Sequence, residues 1–120
     1  MDSKKVALYI ANLARDKKAE QVVVLDMRAV ANFCDYFVVL SVQSQRQIQS
    51  FAEILQEELG TQGINSLTKT LPHDESGWVV LDFSSVVVHI FNKAMREFYS
   101  LERLWSDAKR VRVSRRTKKT

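Results

Sequence analysis

The sequence predicts an α/β domain in which a mixed five-stranded sheet carries packed helices. Three observations lead there. Val-rich and aromatic runs of strand length occur at 21–27, 36–41, 78–83 and 86–91; apolar residues recur at helical spacing over 3–16 and 44–60; and no internal repeat or linker divides the chain. A chain of 120 residues is one domain by length and can bury roughly two thirds of the surface its unfolded form exposes. It needs no metal or disulfide to hold a core.

Taken in order, 3–16 reads as a helix with Ser3 as N-cap and Val6, Ile10, Leu13 and Ala14 on one apolar stripe. QVVVLDM (21–27) follows a polar break and has the uninterrupted apolar character of a strand covered on both faces. Residues 28–35 have no clean period, and YFVVLS (36–41) is the second buried strand. Ser44 with Gln47 three positions on is a capping-box pattern; Ile48, Phe51, Ala52, Leu55 and Leu59 continue it as an amphipathic helix ending at Gly60. A weaker strand at 64–69 is expected beside the second one, reached by a right-handed crossover. Residues 72–77 form an exposed loop.

The runs 78–83 and 86–91 are separated only by Ser84 and Ser85, which predicts a hairpin despite the missing Gly or Asn. A two-residue loop sets Phe83 opposite Val86, Leu81 opposite Val88 and Val79 opposite Ile90, so one face is wholly apolar. The other face pairs Asp82 with Val87, Val80 with His89 and Trp78 with Phe91. Two coverings suit that mixed face: a helix, with His89 hydrogen-bonded beneath it, or a protein partner. After the hairpin, Ala94, Phe98, Leu101 and Trp105 share a core-facing helical stripe, with Tyr99 elsewhere around the helix and Ser100 able to cap a fresh turn.

The net charge of +4 is unevenly spread. Lys109, Arg110, Arg112, Arg115, Arg116, Lys118 and Lys119 face no acid after residue 108, leaving eleven basic against fourteen acidic side chains in 1–108. A polycation of this kind contacts phosphate backbones through counterion release, or else is a solvated, disordered terminus. Lys109, Arg110, Arg112, Arg115 and Arg116 are the candidate RNA contacts.

Catalytic patterns are sparse. His73 and His89 lie sixteen residues apart and Cys34 stands alone, so no metal-ligand spacing arises. Asp26, Asp35 and Asp82 each adjoin an apolar strand but form no Asp-x-Asp pair, and three glycines make no phosphate-cradling loop. Neither an enzyme nor a bound cofactor is expected. One cysteine and the lack of a signal segment or membrane-length run suit a reducing cytosol or an organelle matrix, with no membrane association.

The motifs VVVLDMR (22–28), DYFVVLS (35–41), QRQ (45–47), GWVVLDF (77–83), VVVHIF (86–91) and REFYSLERLWSDA (96–108) together make 1–108 resemble the ribosomal silencing factors, also called Iojap-related proteins. The resemblance implies a nucleotidyltransferase-like fold without its catalytic acids. It further implies docking on the large ribosomal subunit through that subunit's fourteenth protein, obstruction of small-subunit joining, a cytoplasmic location and homodimers. Carried onto matching positions, the partner-facing residues are Trp78, Val80, Asp82, His89 and Tyr99, with Tyr36 and Arg46 completing the set. Two departures stand out: Val42 replaces a small residue after the serine, and Ser84-Ser85 replaces a glycine-containing turn. Residues 109–120 lie outside the motifs and are expected to be a disordered basic tail. The rival readings are a nucleotidyltransferase-like enzyme and a general RNA-binding module driven by that tail.

Overall fold

The computed structural model describes residues 2–67, 77–99 and 106–113, with the side chains of 97–99 excepted. In chain order the elements are α1 (Ser3–Asp16), β1 (Glu20–Asp26), β2 (Tyr36–Val42), α2 (Gln45–Gly60), β3 (Trp78–Asp82), β4 (Val86–Asn92), α3 (Lys93–Tyr99) and β5 (Lys109–Val111). The strands form one five-stranded sheet in the order β3-β4-β2-β1-β5. Only β2 and β4 are parallel; the other neighbours are antiparallel.

The hairpin has the pairing that a two-residue loop dictates, with Trp78 opposite Phe91, Val80 opposite His89 and Asp82 opposite Val87. Its turn is built without glycine. Ser84 adopts φ 76°, a left-handed conformation that usually favours glycine. The Asp82 carboxylate accepts the Ser84 N–H at 2.8 Å, and the Ser85 N–H donates to the Phe83 carbonyl at 3.0 Å. Local hydrogen bonds from an Asx side chain thus hold the strained residue in place.

Three expectations change. Asp2, not Ser3, caps α1, accepting the Lys5 N–H, while the Ser3 hydroxyl donates to Asp35 at 2.8 Å. Residues 64–67 form no strand: Leu67 gives one backbone hydrogen bond to Asp82, and 68–69 lie outside the described residues. The parallel neighbour of β2 is instead β4, because the hairpin turns back into that position. The fifth strand is β5, drawn from the segment expected to be disordered. Its sequence explains this: Val111 and Val113 alternate with Arg110 and Arg112, and both valines pack onto the core.

Helices α1 and α2 cover one face of the sheet. There Ile10, Ala14, Ile48 and Leu55 meet Val38, Leu40, Leu81, Val88 and Ile90, all fully buried. α2 is closed by the expected capping box between Ser44 and Gln47. A second cluster lies on the opposite face, where Leu25, Phe37, Val39, Val87 and Phe91 pack with Met27, Cys34, Met95 and Ala108. No helix among the described residues is long and apolar enough to cross a membrane.

Candidate functional site

Alternation along the paired strands assigns each side chain of the second face to a row. One row runs Asp82, Val87, Phe37, Leu25, Arg110; the next runs Val80, His89, Val39, Val23; the last begins Trp78, Phe91, Ser41. α3 packs over the last row, where the buried Arg96 guanidinium donates to the Ser41 hydroxyl at 2.8 Å. Toward β3 the covering thins, and Trp78, Val80 and Asp82 are all half-buried.

Trp78 is held on two sides. Its ring stacks on Phe91 at 5.2 Å, and its indole N–H donates to His89 Nδ1 at 3.2 Å. Because the indole can only donate, His89 must be the tautomer with its proton on Nε2. That nitrogen is buried without a hydrogen-bond partner, and the Phe37 ring lies edge-on at 4.5 Å. Burial pushes the imidazole pKa down from 6.5 to about 4, so His89 is neutral near pH 7.

Of the partner-facing set, the structure brings together Trp78, Val80 and Asp82 at the surface, with His89 beneath them. His89 is 6% exposed, so it lies below the surface and holds the Trp78 indole from beneath. Tyr36 is displaced from the set: at 1% exposure it shares the helix-covered face with Val38 and Leu40, by strand alternation. The Arg28 guanidinium sits 5.3 Å from its ring centroid. Arg46 is exposed, but on α2, in the opposite layer. The Tyr99 side chain, Arg115 and Arg116 lie outside the described residues. Lys109, Arg110 and Arg112 are exposed along the β5 edge.

Phe33 was not legible as a site residue. It is 58% exposed and its ring lies 6.1 Å from Phe37, so it extends the second face outward beside Val30 and Ala31. It sits in the aperiodic 28–35 segment, where no pattern marks which side chains emerge. Phe33 and Trp78 lie toward different ends of this face, Phe33 beside Phe37 and Trp78 beside Phe91.

The three strand-end carboxylates have structural partners. Asp26 forms a two-pronged pair with Arg28 at 2.8 and 2.9 Å, which holds the carboxyl below its usual range. Asp35 accepts from Ser3, and Asp82 accepts from the hairpin turn. Among the described residues no three His, Cys, Asp or Glu side chains are grouped to hold a metal. A cavity of about 490 Å³ lies beside Asp26, Arg28, Ala29, Asp107 and Lys109, its lining carrying both signs of charge.

Comparison with known proteins places these features in a family context. The sequence pattern of the family described as "ribosomal silencing factor during starvation" matches residues 1–120. The ribosomal silencing factor of Halalkalibacterium halodurans is 35% identical over 113 residues, covering 94% of this chain and 96% of that protein. That of Bacillus subtilis is 36% identical over 108 residues, covering 90% and 91%. A crystal structure of a Chromobacterium violaceum protein superposes with a TM-score of 0.81 at 24% identity, covering 99% of this chain and 98% of that one; at that identity it speaks for the fold alone.

Proposed function

Because this chain belongs to the ribosomal silencing factor family, we propose that it represses translation by docking on the large ribosomal subunit and sterically blocking the small one. The docking partner is the subunit's fourteenth protein, met by the β3 end of the second face. The protein acts in the cytoplasm beside its ribosomes, and its homodimer uses a surface of the same domain. No bond is made or broken in this mechanism. What the fold supplies is a rigid body presenting an apolar patch.

The observation that supports this reading is the contrast between the two faces. Two helices seal one, whereas Trp78, Val80 and Phe33 leave the other partly open. Aromatic anchors at such interfaces commonly cost about 2 kcal/mol or more on truncation. Trp78 is suited to that part, since Phe91 and His89 fix its ring before a partner arrives and reduce the ordering cost of binding.

The test is sedimentation with separated subunits. The protein should travel with the large subunit, and its addition should lower the yield of joined ribosomes when small subunits follow. Travel with the small subunit, or undiminished joining at saturating protein, would overturn the proposal.

A further inference from the structure

α3 lies over a single row of cross-strand neighbours on the second face. Register places Trp78 beside Phe91, Phe91 beside Ser41 and Ser41 beside Glu20, from β3 to β1. The helix follows β4 directly, with the Asn92 side chain accepting the Met95 N–H at 2.9 Å. Two of its side chains then reach that row. Lys93 Nζ pairs with Glu20 at 3.0 Å, and the Arg96 guanidinium donates to Ser41 Oγ at 2.8 Å. Residues three apart are neighbours on a helix surface, so both ties come from the side turned to the sheet.

The two ties differ in what they can enforce. The side chains of Lys93 and Glu20 are 51% and 41% exposed, and a surface pair of that kind constrains little. Arg96 is buried, and Ser41 is fully buried. A guanidinium withdrawn from water carries a large desolvation cost, and an apolar side chain of similar length would pack there more cheaply. Apolar spacing also assigns the inward position elsewhere. The sequence turns Ala94 toward the core, yet Ala94 is exposed and Arg96, two residues on and nearly opposite around the helix, is buried. Met95, seated where Gly77 has no Cβ, is an adaptable side chain that fills space without fixing an angle. The rotation of α3 about its axis therefore follows the arginine and not the apolar stripe.

We infer that Arg96 is a positioning residue for docking: bonded to Ser41, it fixes the rotation of α3 over the Trp78 row and so shapes the border of the partner surface. The inference deepens the ribosome-docking reading and rests on it for the identity of the partner, a protein of the large subunit. Trp78 and Met95 pack on the same buried cluster, so a turn of α3 changes the wall beside the Trp78 ring. Arg96 lies beneath the surface and acts through the helix, where its planar, always charged fork holds a direction that an apolar side chain would not.

The test is Arg96→Met, which keeps an apolar stem and removes the charge and the donors. Urea unfolding, amide hydrogen exchange and cosedimentation with isolated large subunits are measured on the same protein. The unfolding midpoint should stay at or above the parent's. Amides of α3 should exchange about ten-fold faster, with those of β2 and β4 as in the parent. Subunit affinity should fall about ten-fold, the worth of one hydrogen bond to a charged group. Lys93→Gln, which loosens only the surface tie, should stay within about two-fold of the parent on both counts. Parental exchange in α3 or parental affinity in Arg96→Met would overturn the inference, as would an equal loss in Lys93→Gln. A lowered midpoint with docking reduced only by the unfolded fraction would make Arg96 structural and overturn it too. If Arg96→Met does not fold, Ser41→Ala removes the acceptor and leaves the arginine in place, and the same two shifts are expected of it. If the parent itself does not travel with large subunits, the docking reading fails, and α3 exchange alone decides whether Arg96 fixes the helix.

Discussion

The two faces of the sheet are made from the same strands but solve different problems. The helix-covered face is mostly aliphatic, with Tyr36, Phe51 and Phe83 buried among the aliphatic side chains, and its central residues are fully buried between α1, α2 and the strands. The second face carries aromatics, a histidine with one orphaned nitrogen and a buried arginine, and it thins toward β3. One face contributes stability through packing alone. The other holds polar groups and half-exposed rings that packing would not select, which is the mark of a surface kept for something else.

Substitutions can break or sharpen that contrast. The largest loss is expected from Leu55→Ala on the first face. Leu55 is fully buried, and its truncation should cost about 2–5 kcal/mol in urea unfolding. The residual folded protein should still dock. A specific loss of docking beyond the fraction unfolded would mean the two faces do not divide the work as described.

On the second face, His89 should make stability depend on pH. Its folded pKa is depressed from 6.5 to about 4, so between those values the unfolded chain binds the extra proton. Stability is therefore full above pH 6.5 and falls as pH drops toward 4, by up to roughly 3 kcal/mol in linkage terms. His89→Phe should flatten that part of the profile. A parental slope in the variant would assign the pH dependence to other groups.

A smaller effect is expected at Gly77, which joins the second face to α3. It has φ 83°, and a Cβ there would lie 2.5 Å from Met95 Cγ and 2.8 Å from Asn92 Nδ2. Gly77→Ala should cost about 1–3 kcal/mol from strain and crowding. Thermal unfolding of the variant checks this, and an unchanged midpoint would show that α3 yields freely at that contact.

The same contrast decides how much could be read from the sequence. Alternation and a two-residue loop sufficed for every pair of the β3–β4 hairpin, because register follows from loop length. α2 was equally legible from its apolar spacing and capping box. β5 was hidden by its charge: the basic count of 109–120 masked the Arg-Val alternation that makes a strand. Tyr36 joined the partner-facing set through the family resemblance, yet it lies in a strand expected to be buried, and its alternation with Val38 and Leu40 sends it into the helix-covered core. Phe33 could not be found, since its exposure follows from the path of 28–35 and not from any period. Fold follows from patterns repeated along the chain, whereas the site depends on which few side chains a loop and an edge leave open.

The central claim is that the β3 end of the second face docks on the large subunit. Trp78→Ala measures this most directly, provided cooperative unfolding confirms a folded variant, because Trp78 also stacks on Phe91 and hydrogen-bonds His89. Cosedimentation with isolated large subunits should show affinity reduced by about thirty-fold or more, the equivalent of about 2 kcal/mol. A folded Trp78→Ala protein that cosediments like the parent would contradict the account.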